Sequence, residues 1–259
     1  MTEFTVLGSG SSGNSVAIRS QGKVILIDAG FSAIELQRRL DKANIDRSEI
    51  IAILLTHEHN DHSQAIKTFV KRNPKVAVYT NHLTAERLKY MKRLPDNLQI
   101  FTSGSSFQLE HFNVDPYSIS HDAADPVGFV VNVDGKKIGL ATDLGHAGKL
   151  VPVKLSGSDL LMIESNHDPQ LVRSSGRPLR IQQRILGRRG HLSNEKAAEL
   201  MADAMAFHTR HVVLVHLSSD CNTANLAEKA FVDQLRKIGR EDINLSISLQ
   251  DFVSETIRL

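Results

Sequence analysis

Three histidines and an aspartate fall within six residues, directly after the apolar run IIAILL (50–55): His57, His59, Asp61 and His62. Unpaired polar groups at the end of a buried strand cost free energy, and a divalent metal ion removes that cost by taking them as ligands. His57 and His59 alternate as the chain leaves the strand, so both can face one side. Asp61 and His62 begin a helix and can turn toward a second position. The spacing predicts two adjacent metal ions, and a solvated histidine-rich loop is the alternative.

Six arginines and no acid lie in one short segment, at positions 173, 177, 180, 184, 188 and 189. This segment carries a charge of +6 and the rest of the chain −4, within a net charge of +2. Arginine binds phosphate oxygens through two parallel hydrogen bonds, so the segment favours a polyanion such as nucleic acid. Arg180 and Arg184, one helical turn apart, are the candidates for this contact. The alternatives are a solvated helix face and an interface between two copies of the chain.

A glycine pattern near the N-terminus, Gly8-x-Gly10-x-x-Gly13, matches the fingerprint of dinucleotide-binding loops. Such loops need a helix directly after them, because its N-terminus holds the pyrophosphate. Here a short β-branched run and a turn follow instead, in SVAIRSQGK (15–23). The pattern therefore favours a tight turn beside the metal site over a nicotinamide site.

Short β-branched runs alternate with helical stretches along the whole chain. The runs predict strands at 4–7, 15–18, 24–28, 50–55, 75–79, 98–101, 111–120, 127–133, 137–142, 160–165, 211–217 and 244–249. Apolar residues at helical spacing predict helices at 33–43, 61–72, 83–92, 178–189, 194–209 and 225–238. Such interleaving predicts an α/β protein in which two sheets have helices outside. A parallel α/β fold is the alternative.

Composition limits the class of protein. A chain of 259 residues can bury a substantial core, and we expect a single domain over residues 1–259. One cysteine, Cys221, excludes a disulfide framework and a cysteine-rich zinc site. No apolar run is long enough to span a bilayer, and the first ten residues lack the pattern of a signal peptide. We therefore expect a cytoplasmic protein with no membrane partner.

The order of these motifs resembles the metallo-β-lactamase superfamily of metallohydrolases. The family's HxHxDH motif is similar to His57–His62, and further motifs stand in the family's order: LIDAG (26–30), SHDAADPVGF (120–129), ATDLGH (141–146) and VLVHLS (213–218). The resemblance implies the four-layer αββα sandwich of that family. It also implies seven metal ligands: His57, His59 and His121 on one ion, Asp61, His62 and His216 on the other, and Asp143 bridging both. Asp28 is implied to support the histidine ligands from behind.

Three of these residues have other interpretations when taken alone. His121 could belong to a surface loop, and Asp143 could be a turn residue or a helix N-cap. His216 lies inside an apolar run, where a buried core histidine is the ordinary interpretation. Only their order behind the HxHxDH motif favours ligation.

Additional motifs resemble a bacterial exonuclease subgroup of the superfamily, the YycJ/WalJ-like proteins. These motifs are GSGSSGNS (8–15), ESNHD (164–168) and GHLSN (190–194). The resemblance implies hydrolysis of phosphodiester bonds in double-stranded DNA, in the 5′ to 3′ direction, by a hydroxide shared between two metal ions. The chain departs from the subgroup after HLS (216–218), where it has SDCN, and in its arginine content.

The resemblance also assigns roles around the reacting phosphate. Asp61 and Asp143 fix the second ion, and Asp61 orients the hydroxide. His191 assists the leaving oxygen, and Ser193 contacts a phosphate oxygen. Ser193 is also suited to cap the following helix. His167 is a further candidate for substrate contact, with a locally hydrogen-bonded loop histidine as the alternative.

Nitrogen and carboxylate ligands without a thiolate suit two Zn²⁺ or Mn²⁺ ions. An RNA-processing nuclease of the ribonuclease Z type would use the same residues, although DNA is favoured. A thioester or lactam hydrolase would use the same metals but has little use for clustered arginines. A non-catalytic, metal-dependent nucleic-acid-binding protein is the least favoured alternative, and a homodimer is a further expectation.

Overall fold

The computed structural model describes all 259 residues and contains two seven-stranded sheets. The first sheet has the order β14 (Ile257–Arg258), β1 (Thr2–Gly8), β2 (Ser15–Ser20), β3 (Lys23–Ile27), β4 (Ile50–Leu54), β5 (Ala77–Asn81) and β6 (Leu98–Phe101). The second has the order β13 (Asn244–Ile247), β12 (His211–Val215), β11 (Leu160–Glu164), β10 (Lys136–Ala141), β9 (Val127–Val133), β8 (Phe112–Ser118) and β7 (Phe107–Leu109). In each sheet an antiparallel half joins a parallel half.

Nine helices accompany the sheets. They are α1 (Ala33–Lys42), α2 (Asn60–Ser63), α3 (Ile66–Arg72), α4 (His82–Tyr90), α5 (Leu150–Leu155), α6 (Pro169–Ser174), α7 (Leu179–Leu186), α8 (Asn194–Ala204) and α9 (Ala224–Lys237). None of them has the length and apolar character needed to cross a membrane.

Three large hydrophobic clusters define four layers. The first lies between the sheets and joins Phe4 and Ile18 of one sheet to Phe112 and Phe129 of the other. The second packs α5, α8 and α9 on the outer face of the second sheet. The third packs α1, α3 and α4 on the outer face of the first sheet. The predicted αββα sandwich is therefore confirmed.

The parallel alternative is wrong, because short turns connect β1 to β2, β2 to β3, and β9 to β10. Strands joined in this way pair antiparallel, whereas parallel neighbours need a longer crossover.

Several predicted boundaries differ from the structure. The helix predicted at 61–72 is two helices, α2 and α3, separated at residues 64–65. The helix predicted at 178–189 ends at Leu186, where Gly187 has extended backbone angles. The helix predicted at 194–209 ends at Ala204, because Met205 is also extended. The strand predicted at 75–79 lies at Ala77–Asn81. The short elements β7, β14, α5 and α6 were not predicted.

Candidate metal centre

The predicted site residues converge at one edge of the sandwich, where the carboxyl ends of parallel strands from both sheets meet. Such strand ends are where α/β proteins commonly place ligands. Asp28 follows β3 and the cluster at 57–62 follows β4. From the second sheet, Asp143 follows β10 and His216 follows β12. Residues more than 180 positions apart therefore share one small volume.

The first histidine group is His57, His59 and His121. Their ligand atoms lie within 4.8 Å of one another. The ring centroids of His57 and His59 are 4.5 Å apart, and each is 5.1 Å from that of His121. His57 is fully buried, and its Nε2 atom has no hydrogen-bond partner. Three converging nitrogens of this kind can hold a divalent metal ion.

The second group is Asp61, His62 and His216. Oδ2 of Asp61 lies 3.3 Å from Nε2 of His62 and 3.7 Å from Nε2 of His216. His216 is buried, and its Nε2 atom has no hydrogen-bond partner. This group can also hold a divalent ion.

Asp143 lies between the two groups. Its Oδ2 is 3.3 Å from Nε2 of His62, and its Oδ1 is 3.9 Å from Nε2 of His121. Oδ2 is buried without a hydrogen-bond partner. An unpartnered carboxylate oxygen in the interior is costly unless a cation or donor satisfies it. The position of Asp143 suits a bridge between two cations.

Asp28 lies behind His62. Its Oδ2 is 2.7 Å from Nδ1 of His62, and its two oxygens also accept hydrogen bonds from the backbone N–H and the hydroxyl of Thr56, both at 2.8 Å. A histidine held through Nδ1 presents Nε2 in a fixed orientation. Asp28 therefore aims Nε2 of His62 at Asp61 and Asp143.

Three site residues adopt left-handed backbone angles, which are uncommon outside glycine: Asp28 (φ 63°), Asp143 (φ 58°) and His216 (φ 56°). Asp28 and His216 directly follow the end of a strand, and Asp143 lies two residues after the end of β10. Such conformations cost on the order of 1–3 kcal/mol each and collect at functional sites. The backbone is thus turned sharply so that each side chain faces the same volume.

Four carboxylates are concentrated in this region: Asp28, Asp61, Asp143 and Glu164. Burial acts to raise the pKa of Asp61, but the neighbouring His62 and His216 hold that pKa below its ordinary value. Burial acts to lower the pKa of His216, but the carboxylates of Asp143 and Asp61 raise it to about 10. The clustered carboxylates are therefore stabilised by nearby positive charge, which divalent cations would provide. The donor set and its three unpartnered ligand atoms fit metal binding.

Glu164, the last residue of β11, was missed in the sequence analysis. It is completely buried, and its oxygens accept hydrogen bonds from the backbone N–H groups of Asp143, Leu144 and Leu192. Oε2 also lies 3.1 Å from Nδ1 of His191 and 3.3 Å from Nδ1 of His216. In the sequence, Glu164 ends a fully apolar strand and is the first residue of the ESNHD motif (164–168), but neither feature assigns the acid a role.

His191 lies at the edge of the site. Its side chain is 16% exposed, and its ring centroid is 5.2 Å from those of both His121 and His216. Because Nδ1 faces Glu164, Nε2 is the nitrogen left for a substrate. The structure therefore brings His191 to the predicted metal groups.

Ser193 and His167 are almost completely buried, whereas a residue that contacts substrate needs some exposure. Ser193 is the N-cap of α8, and its hydroxyl accepts the backbone N–H of Lys196 at 3.3 Å. His167 forms a β-bridge with Ser193, is 2% exposed, and has no partner for Nδ1. The capping role of Ser193 is observed, and the substrate roles of both residues stay predictions.

The arginine segment presents less free charge than its sequence suggests. Arg184 forms an ion pair with Asp122, and Arg177 forms one with Asp220. Arg180 is exposed and has no acidic partner. Fewer than six of these arginines therefore carry a positive charge without an acidic partner.

The glycine-patterned turn between β1 and β2 supports the site, as predicted. The Ser9 hydroxyl accepts the backbone N–H of His216 at 3.0 Å, and the backbone N–H of Asn14 donates to the carbonyl of Asp61 at 2.8 Å. Nδ2 of Asn14 lies 3.1 Å from Nε2 of His62. Asn14 is a second site residue that the sequence analysis missed.

Comparison with known proteins agrees with this geometry. A family model described as a β-lactamase superfamily domain matches residues 23–217. The metallo-β-lactamase fold protein YhfI from Bacillus subtilis has a TM-score of 0.73 and 14% identity, covering 98% of this chain and 100% of that one. The class is therefore that of a metallo-β-lactamase-fold protein whose histidines and aspartates can bind divalent metal ions.

Two curated relatives narrow the class. Exodeoxyribonuclease YycJ of Bacillus anthracis is 32% identical over 238 residues, which span 91% of this chain and 90% of the relative. Exodeoxyribonuclease WalJ of Streptococcus pneumoniae serotype 2 is 33% identical over 237 residues, which span 90% of this chain and 88% of the relative. The chain belongs to the YycJ/WalJ family of the β-lactamase superfamily.

Proposed function

We propose that this protein is a metal-dependent nuclease that hydrolyses phosphodiester bonds in DNA as a 5′ to 3′ exonuclease on double strands. The observation that carries the proposal is Asp143, a buried carboxylate between two complete ligand groups with one oxygen unpartnered. Many enzymes that cleave phosphodiester bonds use two metal ions held in this way. The two relatives named as exodeoxyribonucleases support DNA as the substrate.

We assign one ion to His57, His59 and His121, and the other to Asp61, His62 and His216, with Asp143 shared. Nitrogen and carboxylate ligands without thiolate suit Zn²⁺ or Mn²⁺. When bound, two divalent ions activate water at neutral pH and neutralise charge on the phosphate. Asp28 and Asn14 orient His62. Asp61, on α2, lies beside Nε2 of His62 and of His216 and keeps this ligand group together.

His191 is the proposed general acid for the leaving oxygen. Glu164 holds Nδ1 of His191, so Nε2 is the nitrogen that would donate the proton to the leaving oxygen. The same Glu164 fixes the backbone at Asp143 and Leu192, which ties the position of His191 to that of the metal groups. General acids placed in this way contribute about 10²–10⁴-fold to a rate.

The arginine segment ends beside the site, at Arg188 and Arg189, and favours a polyanion. Arg180 is exposed, and a thioester or lactam hydrolase has little use for clustered arginines. A cytoplasmic location would give the protein access to chromosomal DNA.

The test is digestion of duplexes labelled at the 5′ or the 3′ end, with Mn²⁺ or Zn²⁺, beside RNA of matched sequence. We expect early release of the 5′ label from duplex DNA and slower cleavage of RNA. Faster cleavage of RNA would favour the ribonuclease Z type of activity. Tight DNA binding without release of nucleotides would favour a binding protein. If the wild type hydrolyses a lactam or thioester but no nucleic acid, and the Arg180→Gln and Arg184→Gln variants keep that activity unchanged, the protein is a lactam or thioester hydrolase and the nuclease assignment is wrong.

A further inference from the structure

Arg184 and Asp122 form an ion pair at the rim of the metal centre. Arg184 lies on α7 and its side chain is 51% exposed, whereas Asp122 directly follows His121 and is 29% exposed. The paired residues are 62 positions apart in the chain. The pair therefore joins the arginine segment to the loop that carries a proposed metal ligand.

Asp122 contacts Arg184 with one carboxylate oxygen and His121 with the other. Its Oδ2 accepts the hydrogen bond from Nε of Arg184. Its Oδ1 lies 3.3 Å from Nε2 of His121 and is shielded from solvent with no hydrogen-bond partner. A single carboxylate thus separates the Arg184 guanidinium from the metal-facing nitrogen of His121.

The guanidinium of Arg184 is only partly used. Nε binds Asp122, and neither Nη atom makes a hydrogen bond within the chain. Guanidinium N–H groups form a planar fork that fits two phosphate oxygens. The Nη edge of Arg184 is therefore free to bind a phosphate while Nε stays anchored.

The frame around this pair is tightly packed. The Ser120 hydroxyl donates to the carbonyl of Arg188 at 2.8 Å, and Nε of Arg189 donates to the carbonyl of His121 at 3.2 Å. Nδ1 of His121 lies 3.1 Å from the carbonyl of Gly190. A Cβ on Gly145 would lie 2.3 Å from the carbonyl oxygen of Gly187, so the two loops are in close contact. Arg184 thus has a defined position relative to the metal groups.

We infer that Arg184 binds the phosphate next to the scissile one, and that Asp122 is the residue that positions it. This inference rests on the proposed nuclease function. The phosphate under attack must lie at the metal groups, and the next phosphate of the same strand lies one nucleotide away. The Asp122 carboxylate lies between the Arg184 guanidinium and Nε2 of His121, so the guanidinium is set back from the metal groups. This position suits the neighbouring phosphate. The protein then recognises a strand with at least two consecutive charges.

The experiment measures single-turnover release of the first nucleotide from a duplex. One pair of substrates differs in a 5′-phosphate or 5′-hydroxyl end, and another has a phosphate or a neutral methylphosphonate at the second linkage. In one of these pairs we expect the wild type to lose about 10–100-fold in rate when the neighbouring charge is removed, the range for a charge-assisted hydrogen bond. R184Q should cleave the charged substrate more slowly than the wild type does. Its rate should fall only slightly further when the neutral substrate replaces the charged one.

D122N tests the positioning role. We expect it to keep its metal content and melting temperature but to lose most of the discrimination between charged and neutral neighbours. R177Q is the matched control, because it removes the same charge from the same segment at a pair with Asp220. It should keep the full discrimination.

Two results overturn the inference. Either no substrate pair slows the wild type, or R184Q keeps the full discrimination. A wild type that releases no nucleotide from any charged substrate would instead overturn the proposed function, and the inference with it.

Discussion

At the scale of single residues, the site is built from acids and imidazoles that hold one another in fixed orientations. Asp28 orients His62, and Glu164 contacts both His191 and His216. Three ligand atoms in this network have no partner within the chain, on His57, Asp143 and His216. The supporting acids therefore fix the orientation in which the ligand atoms face the site.

Asp28→Asn should weaken metal binding. The amide has no charge and replaces one of the two accepting oxygens with an NH2 donor, so it holds His62 more weakly, and loss of such supporting partners typically costs about 10–100-fold in metal affinity. The measurement is competition with a chelator of known affinity. Asp242→Asn, at a half-exposed aspartate paired with Arg240, is the control. An unchanged affinity in the Asp28 variant would show that His62 does not depend on this contact.

His191→Ala should slow cleavage of DNA by about 10²–10⁴-fold, as expected for loss of a general acid. Its metal content should stay that of the wild type. On a diester of p-nitrophenol the variant should lose much less, because that leaving group needs no proton. Equal losses on both substrates would indicate a different role for His191.

At the scale of elements, strand ends and turns place these residues. Asp28 follows β3 and the HxHxDH segment follows β4, and the two meet because Gly30 lets the chain carrying Asp61 pass close by. A Cβ on Gly30 would lie 1.6 Å from the carbonyl oxygen of Asp61. The requirement for glycine at this position is one of space.

Gly30→Ala should lower the free energy of unfolding by about 1–3 kcal/mol or more, since the interior cannot accept the extra methyl group. It should also reduce metal content, because Asp61 and His62 must move. Gly148→Ala is the matched control, since a Cβ there has no atom within 4 Å, and its stability should change little. Denaturant unfolding measures both variants, and equal stability of the two would contradict this account.

Sequence patterns predicted which residues meet at the site, because the HxHxDH cluster and the later motifs keep their order along the chain. They did not predict a role for Glu164, because the ESNHD motif does not show which histidines and backbone N–H groups the acid contacts in the folded chain. They also could not pair Arg184 with Asp122, since that contact depends on how α7 packs on a loop 62 positions away. Helix ends at Leu186 and Ala204 depend on backbone turns that periodicity does not indicate.

At the scale of the whole molecule, two sheets place the site at one edge of the αββα sandwich, and the arginine segment borders it. Arg177 and Arg184 are paired with acids of neighbouring loops, although the Nη edge of Arg184 stays free, whereas Arg180 is exposed without an acidic partner. A net charge of +2 therefore says little about the partner, and the local charge favours a polyanion. The single-domain organisation and the homodimer stay predictions.

Arg180→Gln should weaken DNA binding at low salt and reduce the salt dependence. Loss of one phosphate contact lowers the slope of log K against log salt by about 1. Arg47→Gln, just before β4 and thus at the opposite ends of the parallel strands, is the control. Fluorescence anisotropy over a salt series measures both slopes, and identical slopes would place Arg180 outside the interface.

The most direct test of the central claim combines metal content with DNA cleavage in Asp61→Ala. We predict that the wild type binds about two ions per chain and releases the 5′ label from duplex DNA. The variant should bind about one ion and lose cleavage, because the second group is left with its two histidines and the shared Asp143. Undiminished cleavage by the variant would contradict the two-metal account.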